Sequence, residues 1–128
     1  MTAQTVQPFV VREYTTPKYR AVIQDEDGVA IPAASLTTLR LTHYLPVSDA
    51  IVNSRDDQNV LNANDVTVSA EGALEWSLQE EDTALAGSIT SGGWYQDHVA
   101  LFEYTWDSGA KRNNHEVKFK VLSIHRIP

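Results

Sequence analysis

Two of the four histidines have surroundings that suggest chemistry. His98 directly follows Asp97, and a carboxylate beside an imidazole is half of an arrangement in which an acid orients a general base. The other half is a nucleophile, and the chain has no Gly-x-Ser-x-Gly motif that would present an exposed serine. His43 lies on the apolar face of a predicted strand, where a hydrogen-bonded histidine is commoner than a metal ligand. We therefore expect no catalytic residue.

The acidic run Asp25-Glu26-Asp27-Gly28 offers clustered carboxylates, which are the hard oxygen ligands that calcium prefers. An EF-hand loop would end in a glutamate at its twelfth position, where this chain has Leu36, so the run favours a tight turn. The chain has no cysteine, which excludes thiolate nucleophiles and Cys-ligated zinc. Ser91-Gly92-Gly93 lacks the lysine of a phosphate-binding loop. We expect no metal, no cofactor and no enzymatic activity.

The elements that must position these side chains are strands. Residues 98–106 and 116–121 alternate apolar with other side chains at a period of two, and a polar turn at Asp107-Ser108-Gly109 joins them as a hairpin. The apolar face of this hairpin carries Ala100, Phe102, Tyr104, Trp106, Val117, Phe119 and Val121. With Trp76, the aromatic residues of this face are predicted to form one core.

Shorter alternating stretches occur at 18–24, 37–45 and 73–78, separated by turn signals and without a long amphipathic helix. This pattern predicts an all-β antiparallel sandwich of about seven to nine strands. Single helical turns are expected within 53–65 and 80–86. Because the first residues are small, polar and interrupted by proline, we divide the chain into an N-terminal arm, 1–17, and a sandwich domain, 18–128.

Composition narrows the classes of partner. The chain has 128 residues and a formal net charge of −7, and such an acidic body repels phosphate backbones and anionic membranes. No stretch approaches the roughly 18 consecutive apolar residues of a membrane span. The absence of cysteine fits folding in a reducing cytosol, and the first residues lack the features of a signal peptide. Nucleic acid and membrane are therefore not expected as partners.

Several apolar residues outside the predicted core are candidates for binding a protein partner: Phe9, Val10, Val11, Trp94, Tyr95, Val99 and Leu101. Residues 9–11 would either dock on a neighbour by strand addition or pair with the domain's own sheet. Trp94 and Tyr95 would anchor an interface or close the end of the sandwich. Val99 and Leu101 lie opposite the core face of their strand, covered either by the preceding loop or by a partner.

The order of these segments resembles the immunoglobulin-like domains of tailed-bacteriophage structural proteins. The resemblance covers about residues 18–121 and rests on the acidic-Gly turn followed by Ala-Ile-Pro, on Gly72-Ala73-Leu74-Glu75-Trp76, and on the last hairpin. Such domains occur in small head- or tail-associated virion proteins and at the N-terminus of upper baseplate proteins. The resemblance implies an immunoglobulin-like sandwich and no catalytic residues, although the chain lacks the Cys…Trp…Cys core of antibody domains.

Three functions remain in view. The first, which we favour, is a virion structural protein, a capsid decoration or head-tail accessory subunit that binds other virion proteins in many copies after synthesis in the host cytoplasm. The second is a tail or baseplate adaptor that holds a fibre or receptor-binding protein. The third is a small cytoplasmic enzyme or carbohydrate-binding domain, for which Trp94, Tyr95 and His98 would begin a pocket.

Overall fold

The computed structural model describes residues 4–84 and 95–122, which form two β-sheets. Within these ranges the strands are β1 (Gln4–Arg12), β2 (Lys18–Val22), β3 (Leu36–Tyr44), β4 (Gln58–Asn59), β5 (Val66–Val68), β6 (Ala73–Ser77), β7 (Tyr95–Trp106) and β8 (Lys111–Leu122). Two short 3₁₀ turns, Ala33–Ser35 and Glu80–Asp82, lie in the connections. The second falls where a helical turn was predicted. The segment 53–65 instead contains β4 and turns.

The strand order confirms the predicted immunoglobulin-like sandwich. One sheet has the order β1-β8-β7-β3-β4 and the other β2-β6-β5. An immunoglobulin domain places its second, fifth and fourth strands in one sheet and its third, sixth and seventh in the other, as β2-β6-β5 and β3-β7-β8 do here. Every pairing between strands is antiparallel except that of β1 with β8, which is parallel.

The N-terminal segment requires a correction. The predicted arm, 1–17, contains β1, which pairs with β8 from Gln4 opposite His115 to Arg12 opposite Leu122, with a register shift between Val6 and Phe9. The segment therefore supplies an edge strand to the domain's own sheet, which was the alternative to docking on a neighbour. This pairing satisfies backbone N–H and C=O groups at the edge of β8, and it brings Val11 into the core.

The core lies between the sheets and is built by the predicted alternation. Trp76, Phe102 and Phe119 are fully buried, and the Trp76 and Phe102 rings meet edge to face with centroids 5.7 Å apart. Tyr104 is buried with them, while Trp106 packs against the cluster from its margin and is partly exposed. Large aromatic side chains supply much of the apolar area that stabilises such a core. Among the described residues no helix has the length and apolarity needed to cross a membrane.

The acidic run forms the predicted turn. The Asp25 carboxylate accepts hydrogen bonds from the backbone N–H groups of Asp27 and Val29 at 2.8 and 3.0 Å. Gly28 has a φ of +79°, a left-handed conformation that glycine adopts without steric cost. Glu26 pairs with Lys111 at 2.9 Å, which ties the turn to the start of β8. One carboxylate oxygen from each of Asp25, Glu26 and Asp27 lies within 4.8 Å of the other two at the surface of the protein.

Candidate interaction surface and the buried polar network beneath it

The outer face of the five-stranded sheet gathers four of the side chains that the sequence suggested for an interface. Tyr95, Val99 and Leu101 occupy alternate positions of β7 whose neighbours face the core. Val10 of β1 lies opposite Lys120 of β8, which in turn lies opposite Asp97 of β7. Paired residues of adjacent strands point to the same side of a sheet, so these side chains share one face. This group is the outer-face surface.

A pocket of about 340 Å³ opens on this surface. It is lined by Pro46, Asp97, His98, Val99, Lys118, Phe119 and Lys120. Val99 is only 4% exposed, so the domain itself covers this side chain, while the preceding loop lies outside the described residues. Leu101, one pleat further along, remains partly exposed. The pocket therefore presents an apolar floor within a polar face, which is the usual composition of a small recognition site.

The rim of the pocket carries paired charges. Lys120 donates a hydrogen bond to Asp97 at 2.9 Å, which raises the pKa of the lysine, and its ammonium group lies 4.2 Å from the centroid of the Tyr95 ring. Lys118 is well exposed and lies 3.9 Å from Glu116. Each of the two lysines therefore has a carboxylate beside it, Asp97 or Glu116, and the rim is polar with charges of both signs. Such a rim surrounds the apolar lining of the pocket with groups that can form hydrogen bonds and ion pairs with a partner.

The remaining interface predictions fall elsewhere. Val11 is 6% exposed and belongs to the core cluster, so its prediction as a partner-binding residue is wrong. It points inward because it lies opposite Val121, a core residue of β8, and alternation then places Val10 outward. Phe9 belongs to β1 by its backbone, but its side chain lies outside the described part of the structure. Trp94 also lies outside the described residues.

Beneath this surface lies a buried ion pair that the sequence did not indicate. Both nitrogens of one Arg55 edge bind the two carboxylate oxygens of Asp82, Nε at 2.6 Å and Nη2 at 2.9 Å. Arg55 also donates to Asp65 at 2.9 Å and to Gln58 at 2.7 Å, and it lies 5.8 Å from the Trp76 ring centroid. Burial alone would raise the pKa of Asp82, but the hydrogen bonds from Arg55 and its other partners hold that pKa far below its usual range.

A pair of histidines continues this network across the core. His43 Nε2 lies 2.9 Å from His98 Nδ1, and His98 Nε2 lies 3.2 Å from the Gln96 side-chain oxygen. Each neutral imidazole has one N–H, so hydrogen bonds are donated in one direction along the chain of His43, His98 and Gln96. His43 Nδ1 then faces Asp82 Oδ1 at 3.5 Å, longer than an ordinary hydrogen bond. Burial lowers the pKa of His43, and burial with the neighbouring His43 lowers the pKa of His98 to about 3.

The catalytic arrangement considered for Asp97 and His98 is not formed. Asp97 points outward to Lys120, whereas His98 points inward to His43, because consecutive residues of a strand face opposite sides. His98 backs the pocket but is only 1% exposed, and both of its ring nitrogens have partners inside the protein. His43 and Asp82 have no exposed surface. These groups are held where they stabilise the fold and where a substrate proton does not reach them.

No family model matches the chain, and no curated protein and no solved structure matches it.

A second polar contact joins the two sheets at another point of the core. The Tyr19 hydroxyl of β2 lies 2.6 Å from His115 Nε2 of β8. Burial raises the pKa of the tyrosine and lowers the pKa of the histidine, so both groups are neutral near pH 7. The only sequence signal for either residue was its position on the core face of an alternating strand. A polar residue at such a position, with a long side chain, is the pattern that could have indicated a buried partner.

Proposed function

We propose that this protein is a non-enzymatic structural subunit of a tailed-bacteriophage virion, a capsid decoration or head-tail accessory protein that binds other virion proteins in repeated copies. The observation that carries the proposal is that the titratable groups considered for catalysis are buried, whereas the exposed face of the sheet has a pocket suited to binding. Among the described residues Asp82, His43 and His98, which have side chains capable of acid–base chemistry, are enclosed in the core. The outer-face surface instead offers an apolar pocket whose rim carries charged side chains of both signs.

The immunoglobulin-like topology supports the same function. The sequence segments that resemble phage virion domains are the ones that form β2, β3, β6, β7 and β8 of the sandwich. A rigid sheet presents a recognition face with little conformational entropy to lose on binding, which favours affinity. Where many copies bind one symmetric particle, contacts that are weak singly become stable together.

Purified particles of the phage that encodes this chain provide the test. We expect mass spectrometry of gradient-purified particles to detect the protein, and gold labelling of a tagged copy to place it on the head or at the head-tail junction. Labelling confined to the tail tip would replace this assignment with the adaptor function. Absence of the protein from particles, with the protein present in infected cells, would refute a virion function.

A pair of charge reversals tests the surface. Lys118→Glu inverts the rim of the pocket, whereas Lys18→Glu makes the same change on the other sheet, where Lys18 pairs with Glu75 at 3.7 Å. We expect Lys118→Glu to reduce incorporation into particles and Lys18→Glu to leave it unchanged. Equal incorporation of both variants would exclude the pocket rim as the binding surface.

A further inference from the structure

β1 leaves one edge of the five-stranded sheet open. Within residues 4–84 and 95–122, β1 pairs with β8 alone, so the backbone groups on its other side have no strand beside them. β1 is nine residues long, and its only charged residue is Arg12. An edge of this length and composition accepts a further strand, because its unpaired N–H and C=O groups can hydrogen-bond to an extended backbone placed beside them.

The other sheet edges among the described strands are protected in ways that β1 is not. β4 and β5 have two and three residues, which is too short to hold an added strand. β2 has five residues, and it carries Lys18 and Arg20, whose side chains are well exposed. Charged side chains on an edge strand oppose the approach of another strand. Strand addition is therefore favoured at β1.

The regular part of the β1 edge follows Pro8. The register of β1 against β8 shifts between Val6 and Phe9, and from Phe9 to Arg12 the two strands then advance in step. Because proline has no N–H to donate, it belongs at the first residue of a paired segment. Residues 8–12 are therefore the segment available for pairing. Val10 lies at its centre, and the Val10 side chain is 59% exposed on the outer face of the sheet.

We infer that two copies of this chain pair through residues 8–12 of β1, antiparallel and related by a two-fold axis that passes through the sheet at Val10. In this register Val10 lies opposite Val10 of the second copy, and Arg12 lies opposite Pro8. The two outward valines then cover each other, as directly opposite β-branched residues do in a sheet. The same segment serves both copies, so the contact is isologous and is complete with two copies.

A second copy is the partner because the segment complements itself. Its one exposed apolar side chain, Val10, meets its own equivalent, and its one charge, Arg12, does not face a like charge. The two β1 strands join the five-stranded sheets of both copies into one continuous sheet. The outer-face pocket is lined from β7, β8 and Pro46, so it stays open in the pair. Pairing at β1 thus goes beyond the proposed function and is independent of it.

Single-cysteine variants give the decisive measurement, because the chain has no cysteine of its own. Directly opposite residues of antiparallel strands have Cβ atoms about 4.5–5.5 Å apart, so a small adjustment permits a disulfide. Val10→Cys should therefore form a disulfide-linked dimer under mild oxidation. Val47→Cys is the control, since Val47 is 80% exposed and would cross-link more readily in random encounters. Cross-linking of Val10→Cys no faster than that of Val47→Cys overturns the pairing.

Sedimentation velocity of the full chain over a range of concentrations measures the same contact without a covalent bond. We expect a reversible dimer that added salt strengthens, because salt screens the repulsion between two bodies of net charge −7. Val10→Lys places like charges opposite each other and should lower the association constant roughly fivefold or more. Val22→Lys, at an exposed valine of the edge strand β2, should associate as the wild type does.

Circular dichroism verifies that both lysine variants are folded. A wild-type protein that stays monomeric at all concentrations, or equal association of the two lysine variants, refutes the dimer. Neither result bears on the virion function, which is decided by the presence of the protein in particles.

Discussion

His43 Nε2 and His98 Nδ1 lie 2.9 Å apart inside the core, with the His43 ring also edge to face with Trp76 at 5.5 Å. The charged groups that face this pair are Asp82 and Arg55, which neutralise each other through two hydrogen bonds. Little electrostatic support therefore remains for an imidazolium, and burial disfavours its charge. The pair is neutral in the folded protein.

Acid should destabilise the protein below about pH 6.5. The pKa values of His43, His98 and His115 are all lowered from 6.5 by burial, that of His98 to about 3. In the unfolded chain these histidines bind protons near pH 6.5, so as pH falls the unfolded state takes up protons that the folded state does not. Above pH 6.5 the buried neutral histidines do not reduce the free energy of unfolding. Below pH 6.5 each histidine lowers this free energy by on the order of 1 kcal/mol per pH unit, until its folded pKa is reached.

Urea unfolding at about pH 7.5 and at about pH 5 measures this loss. The double variant His43→Gln/His98→Gln should show a shallower pH dependence than the wild type, even if it is less stable at both pH values. An equally steep dependence in the double variant would assign the acid sensitivity to other groups.

Removing the buried carboxylate should be far more damaging than removing an exposed one. Asp82→Asn leaves the buried Arg55 without its bidentate partner, and we expect a loss of about 3–5 kcal/mol in unfolding free energy. Glu75→Gln removes a carboxylate that pairs with Arg20 at 2.8 Å on the surface, and it should cost less than about 1 kcal/mol. Chemical denaturation of both variants gives the comparison, and similar losses would show that Asp82 contributes no more than a surface pair.

Adjacent residues of β1 should respond differently to the same change. Val11→Asp places a charge in the core, whereas Val10→Asp places it at a position that is 59% exposed. The first should lower the melting temperature sharply, and the second should leave it nearly unchanged. Deleting residues 1–12 should likewise lower the melting temperature, because it exposes the edge of β8. Melting temperatures that do not distinguish the two valine variants would mean that β1 is not held against the sheet in solution.

Adjacent residues on the two faces of β7 should also differ in how much their replacement by alanine destabilises the protein. Phe102→Ala removes a fully buried ring packed on Trp76 and should cost about 3–5 kcal/mol. Leu101→Ala, on the opposite face and partly exposed, should cost clearly less. Unfolding free energies from urea titration decide, and a loss under about 1 kcal/mol for Phe102→Ala would invert the assignment of faces.

Local patterns in the sequence predicted most of the strands and the direction in which their side chains face, although they did not indicate β1 and β4 as strands of the domain. In β7 and β8 the period of two separates Phe102 and Phe119 from Val99 and Lys118, and this information is local because alternation follows from strand geometry alone. The acidic turn was equally predictable, since Asp25 and Gly28 act on backbone atoms within the same few residues.

Contacts between residues that are far apart in the chain could not be predicted from local patterns. Arg55 and Asp82 are 27 positions apart, and His43 and His98 are 55 apart, so no local pattern connects them. Val11 is buried and Val10 is exposed because β1 pairs with the edge of β8. Whether that edge is available is a property of the completed sheet. The outer-face pocket likewise exists because β7 and β8 bring Val99, Lys118 and Lys120 beside Pro46 from the end of β3. These contacts follow from the pairing of the strands, and the pairing depends on the burial of apolar side chains throughout the core.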